Sequence, residues 1–276
     1  MATTLTAEQQ ERYERDGYLS PLDVLGAAEV ARFRGEFERL EPRLGPATTP
    51  RHAQTHLHFR WAYELATHPA LLDAVEGVIG PDILVHTTSL FCKQPRDPAF
   101  VSWHQDAHNW RLDEPRLLTA WIALTVSDEE NGCLRVVPGS HLTRLDHEAR
   151  PHKDNMLATG LTVSAQVDED DVVGFVLAPG QASFHHADLV HGSNGNRSDG
   201  KRIGFAVRFV SPSVTQERPH HAVVLARGED AYGNYELLTE PPSDDLERSL
   251  AAHDAFWRRI GERGDRPELA LAPESS

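Results

Sequence analysis

The sequence predicts a mainly β protein, a sandwich or jelly roll with flanking helices, and two patterns carry that expectation. Up to Ile79 the apolar residues recur at helical spacing, whereas after Ile83 the period changes to two. The later runs are short and are punctuated by turn signals at Asn131-Gly132, Pro138-Gly139-Ser140, Pro179-Gly180 and Ser198-Asp199-Gly200, without helices alternating between them.

In chain order, Thr6 followed by Gln9 forms a capping-box pattern, and Gly17 can close that first helix. From Ala27 to Leu40 a stripe of Val30, Phe33, Phe37 and Leu40 faces a core and leaves Arg32, Arg34, Glu36 and Glu38 toward water. The Pro/Thr-rich stretch from Pro42 to Pro50 is expected to break that helix. Pro69 then opens a short helix through Leu71, Leu72, Val75 and Ile79, which Gly80-Pro81 closes. Predicted strands are Ile83–Phe91, Phe100–Asp106, Leu117–Val126, Leu134–Val137, Val172–Leu177, Ala182–His185 and Ile203–Val210. Arg144–Asp171, rich in charge and histidine, is expected to be a long loop. A last amphipathic helix spans about Asp244 to Ile260, with Leu246, Leu250, Phe256 and Ile260 inward and a frayed tail after Gly261. No repeat or linker interrupts the chain, so one domain over 1–276 is expected: helices at about 6–80, a β core at about 83–210, and a helix at about 244–260.

A formal charge of −15 argues against nucleic acid or an anionic membrane as the main partner but identifies no substrate, because the local field in a pocket can oppose the net charge. The two cysteines, Cys92 and Cys133, are too few for a disulfide framework or a four-thiolate metal site, and fit a reducing cytoplasm. The start of the chain has no secretory pattern, and no apolar run is long enough to span a membrane.

Residues 103–106 read Trp-His-Gln-Asp. On a strand, His104 and Asp106 would share a face, and a histidine from a distant strand would complete a facial triad of two nitrogens and one oxygen. Such a set suits iron(II), because three positions stay open for O2 and a co-substrate. His-x-Asp alone is weak, since roughly one such triplet is expected by composition. Three occur, and His104–Asp106 has the best context, after the apolar Phe100-Val101. His152–Asp154 lies in the polar loop, where a solvated pair is expected. His186–Asp188, just before His191, suits a place beside the ligands or facing substrate. His191 is the third ligand candidate, because it enters a Gly/Asn-rich turn. Arg202, at the start of a strand, is either a surface cation beside Lys201 or a bidentate clamp for a dicarboxylate.

Taken together, Val101-Ser-Trp-His-Gln-Asp106, Thr119-Ala-Trp-Ile-Ala-Leu124, the run from Glu130 to Pro-Gly-Ser-His141, and Leu189-Val-His-Gly-Ser193 with Arg202 resemble the phytanoyl-CoA dioxygenase family over roughly residues 10–215. The resemblance implies a double-stranded β-helix (jelly roll, cupin-like) and an Fe(II)/2-oxoglutarate-dependent dioxygenase. His104, Asp106 and His191 would then bind iron. Arg202 and Ser193 would hold the distal carboxylate of 2-oxoglutarate, with Trp121, Ser89 and Lys93 lining that pocket. Related halogenases carry Ala or Gly where Asp106 stands here, so the carboxylate favours oxygenation, usually hydroxylation, with release of succinate and CO2. The same triad also supports desaturation, epimerisation, cyclisation or endoperoxide formation, and a jelly roll can bind metal or ligand without catalysis. No basic patch for the phosphates of a CoA thioester is evident among Arg111, Arg116, Lys153, Arg197 and Lys201, so a small metabolite is expected.

Overall fold

In the computed structural model, which describes residues 4–47, 49–110, 117–157, 160–215 and 221–262, the first helix starts at the cap its sequence encodes. The Thr6 side chain accepts from the Gln9 amide, Gln9 reciprocates, and helix α1 (Ala7–Asp16) ends on Gly17 at φ +79°. Strand β1 (Tyr18–Asp23) follows, where a helical region was expected. It contains Pro21 and a register irregularity between Leu19 and Leu22, which conceal period two and which only an edge strand tolerates. Helix α2 (Ala27–Leu44) runs through Pro42 instead of breaking there. Pro42 forgoes one i→i−4 hydrogen bond, but only two residues of the helix follow it, and the fully buried Leu44 extends the apolar stripe beyond it. Helices α3 (Arg60–Ala66) and α4 (Pro69–Ile79) precede the sheets; α3 carried no clear sequence signal.

The main strands fall where period two places them: β2 (Ile83–Lys93), β3 (Val101–His104), β4 (Leu117–Ala123) and β5 (Arg135–Val136). Between β3 and β4 sits the short helix α5 (Ala107–Trp110). The expected loop 144–171 holds a hairpin of β6 (His147–Ala149) and β7 (Leu161–Val163), whose three-residue strands are too short to display a period. Then come β8 (Val173–Gly174), β9 (Gln181–His186), β10 (His191–Ser193), β11 (Arg202–Val210), β12 (Val224–Arg227) and helix α6 (Leu246–Glu262). The tail expected to fray lies mostly outside the described residues.

Two antiparallel sheets result, one ordered β1-β9-β4-β11-β2-β12 and one ordered β3-β10-β5-β8. Alternation along β11 assigns the faces of the larger sheet. Ile203, Phe205, Val207 and Phe209 join a continuous core with Phe33 and Phe37 of α2, Leu71 and Val75 of α4, and Leu250, Phe256 and Ile260 of α6. Each such side chain contributes roughly 1.5–3 kcal/mol by leaving water, which fixes the register of the central strand. The intervening Arg202, Gly204, Ala206 and Arg208 therefore face the opposite side, where the polar residues collect. No helix among the described residues is long and apolar enough to cross a membrane.

Candidate metal centre

β3 and β10 pair antiparallel with His104 directly opposite His191, and their ring centroids are 4.1 Å apart. Asp106 lies just past the end of β3, in the turn into α5, rather than on the strand as predicted. The hydrogen bond from Ala107 N to Ala187 O, 3.0 Å, pins this turn and aims the carboxylate back at the histidines. The potential ligand atoms of His104, Asp106 and His191 all lie within 4.8 Å of one another, and all three residues are buried.

Each histidine presents a defined nitrogen. Nδ1 of His104 and Nδ1 of His191 lie 2.9 Å from the carbonyls of Ser102 and Leu189, respectively. Carbonyls only accept, so each Nδ1 carries the proton and each Nε2 lone pair faces the cluster. Burial, reinforced by the neighbouring His104 and His185, pushes His191 well below the usual imidazole range and keeps it neutral. For Asp106, burial would raise the pKa, but His191, His104, His185 and Arg208 outweigh it and hold the carboxyl well below the usual range. Two imidazoles and one ionised carboxylate, buried together, form a donor set that fits a divalent metal such as iron(II).

The same pocket holds the arginine. Arg202 opens β11 opposite Lys93, is buried, and donates from Nη2 to Gly132 O at 2.8 Å. Its guanidinium lies 5.3 Å from the Trp121 ring, so Trp121 is a pocket wall rather than core filler. Burial lowers Arg202 to about 10, still charged at neutral pH. Its Nε has no hydrogen-bond partner among the described residues. A buried, charged, under-satisfied guanidinium is costly unless an anion arrives, which rules out the surface-cation reading and fits a carboxylate ligand. Ser193 lines the pocket too, and Lys93 Nζ donates to its Oγ at 2.7 Å.

Two expected pocket residues stand one layer back. Ser89 accepts from Arg208 Nη1 at 2.8 Å, and Lys93 reaches the pocket through Ser193 and the carbonyl of Asn194, so neither forms the wall itself. Conversely Thr119, His185 and Arg208 line the pocket and were missed. With Trp121 and Arg202 placed inward, parity alone puts Thr119 and Arg208 inward as well. The expected pair His186–Asp188 does not reach the triad. Period two on β9 sends His185 in and His186 out, beside Tyr13 and Gln10, while Asp188 pairs with Arg144 at 3.3 Å. His152 and Asp154 stay 3.9 Å apart in their loop.

The Trp121 indole packs directly on Gly204: a Cβ there would stand 1.9 Å from Trp121 Cζ2. Gly204→Ala is expected to displace the indole, change its fluorescence and cost about 1–3 kcal/mol of stability. Unaltered melting and emission would show that Trp121 does not rest on this glycine.

A family model described as phytanoyl-CoA dioxygenase (PhyH) matches residues 13–204, most of the chain, with the triad and Arg202 inside the match. The chain belongs to the phytanoyl-CoA dioxygenase family. It is 28% identical to human peroxisomal phytanoyl-CoA dioxygenase over 232 residues, 75% of this chain and 69% of that protein. It is 25% identical to an ectoine dioxygenase of Bordetella parapertussis over 248 residues, 80% of each chain. Among solved structures, a non-heme monooxygenase, ThoJ, in its apo form superposes with a TM-score of 0.77 at 30% identity, over 94% of this chain and all of that one. Members of the phytanoyl-CoA dioxygenase family are oxidoreductases, and in this member the buried triad and Arg202 share one pocket.

Proposed function

We propose that this protein is an Fe(II)/2-oxoglutarate-dependent dioxygenase that hydroxylates a small organic metabolite and releases succinate and CO2. A buried two-histidine, one-carboxylate cluster in the same pocket as a charged, under-satisfied arginine carries this reading. His104, Asp106 and His191 hold the iron, and Arg202 with Ser193 receives the distal carboxylate of 2-oxoglutarate. Trp121 walls that end, Lys93 supports Ser193, and Ser89 braces Arg208. Bound iron supplies the activation of O2 that couples decarboxylation of 2-oxoglutarate to oxidation of the substrate. The chain's own contribution is to orient and to exclude water. Phe91, Val101, Leu134 and Leu157 give the pocket apolar walls. Apolar walls around a few convergent polar groups suit a small organic substrate beside the co-substrate. We read the two sheets as a double-stranded β-helix in one domain, since one core joins α2, α4, α6 and the larger sheet.

Lys93 gives this pocket a pH signature. Burial, with Arg202 beside it, pulls its ammonium down to about 6, so above that pH the empty pocket holds a neutral amine. An incoming dicarboxylate raises that value again. Binding of 2-oxoglutarate near pH 7.5 is therefore expected to take up as much as one proton, and affinity is expected to fall as pH rises from about 6 to the value reached in the complex and to level off above it. Calorimetry in two buffers of different ionisation enthalpy measures the uptake; none would place Lys93 out of the co-substrate's reach.

The reaction itself is tested by incubating protein, iron(II), ascorbate and 2-oxoglutarate under air with a panel of small amino acids, cyclic amino acids and hydroxy acids. Succinate release matched by one product gaining one oxygen atom is the expected result. Succinate formed with a product that loses two hydrogens or gains a ring would keep the cofactor chemistry and replace hydroxylation.

A further inference from the structure

Three adjacent strands of the larger sheet lay a polar row against Asp106. Arg208 of β11 stands opposite Thr119 of β4, and Thr119 stands opposite His185 of β9. All three side chains face the pocket and all are buried. The two oxygens of Asp106 consequently have different surroundings. Oδ1 lies 3.4 Å from His104 Nε2 and 3.9 Å from His191 Nε2, on the side where the ligand atoms converge. Oδ2 accepts a 3.1 Å hydrogen bond from Thr119 Oγ1, with His185 Nε2 at 3.9 Å and Arg208 Nε at 4.0 Å. Arg208 is itself braced from β2, where its Nη1 donates to Ser89 Oγ. Residues from three strands thus converge on one carboxylate oxygen, and a fourth strand braces one of them.

We propose that Thr119, Arg208 and His185 are positioning residues that hold Asp106 by its outer oxygen, so that only Oδ1 is offered to the metal. The inference rests on the metal assignment made above and extends it to residues beyond the three ligands. A carboxylate tied at one oxygen supplies a single ligand atom. One free to turn can supply both, and then occupies a position that a chelating co-substrate and dioxygen require. The turn that carries Asp106 lies outside β3, so no ladder hydrogen bond fixes its side chain, and the row on the facing sheet does so instead.

The test uses nickel(II) alone as a redox-inert probe, titrated calorimetrically into metal-free full-length protein without co-substrate. Thr119→Val keeps the shape and deletes the hydroxyl, and is expected to weaken nickel binding about 10–100-fold, as loss of a ligand's hydrogen-bond partner does elsewhere. Thr119→Ser restores the hydroxyl and is expected to restore the affinity. Arg208→Met is expected to weaken binding in the same direction, with Arg208→Lys recovering part of the loss; should Arg208→Met not fold, the two Thr119 variants decide. Equal nickel affinity in Thr119→Val and the unmodified protein would overturn the proposal, as would a Thr119→Ser loss as large as that of Thr119→Val. Failure of the unmodified protein to bind nickel would instead remove the metal assignment together with everything built on it.

Discussion

His191→Ala, His104→Ala and Asp106→Ala are each expected to bring succinate formation to background while the protein still folds. The three side chains supply all the ligand atoms of the cluster, and within it burial keeps the His191 imidazole neutral while the surrounding histidines and Arg208 keep Asp106 ionised. Removing one leaves two donors in a buried site, so the loss should exceed the ~10–100-fold that outlying partners cost. Asp188→Asn is the informative control. Its carboxylate pairs with Arg144 rather than with the cluster, so metal stoichiometry should be retained. Succinate release and bound iron, measured side by side for these variants, check the assignment. Turnover that survives His191→Ala, or iron lost from Asp188→Asn but kept by Asp106→Asn, would move the centre elsewhere.

Arg202→Lys is expected to weaken 2-oxoglutarate binding by about an order of magnitude or more, although the charge is conserved. The guanidinium already spends one nitrogen on Gly132 O and packs near Trp121, which leaves its fork to meet a carboxylate in a fixed plane. A lysine at 202 has a point charge on a flexible stem and would also stand opposite the buried Lys93. Buried there, a lysine can lose its proton, which a guanidinium keeps. An apparent co-substrate constant that rises while metal affinity and folding hold is the expected outcome. An unchanged constant would mean that another cation does the clamping.

Much of this site was legible because period two is a strong constraint on buried strands. The alternation Ile203, Phe205, Val207, Phe209 is the same alternation that sends Arg202 and Arg208 inward. His104 and His191 were identifiable by context, yet the reason they meet, their direct opposition on β3 and β10, is a pairing that no local pattern encodes. Asp106 was placed with the right partner for an incomplete reason, since the strand ends at His104 and a turn completes the approach. His186 attracted notice through a His-x-Asp spacing that has no consequence here, while its neighbour His185 faces the cluster, its ring 4.5 Å from that of His191. One residue of register separates the two. Strand β1 escaped because Pro21 and a register irregularity mask it, and β6 and β7 because three residues cannot show a period. Ser89 was expected in the pocket wall and instead supports Arg208, a difference set by side-chain length rather than by sequence position.

The most direct test of the central claim is an anaerobic titration of the metal-free protein with iron(II) and then 2-oxoglutarate, followed by visible absorption. One equivalent of iron is expected to bind. A charge-transfer band is expected to grow only when the co-substrate is added, with the band absent in His191→Ala and requiring more 2-oxoglutarate in Arg202→Lys. Iron that binds without any such band, or a band of full intensity in His191→Ala, would contradict the assignment of His104, Asp106 and His191 as the centre at which 2-oxoglutarate is used.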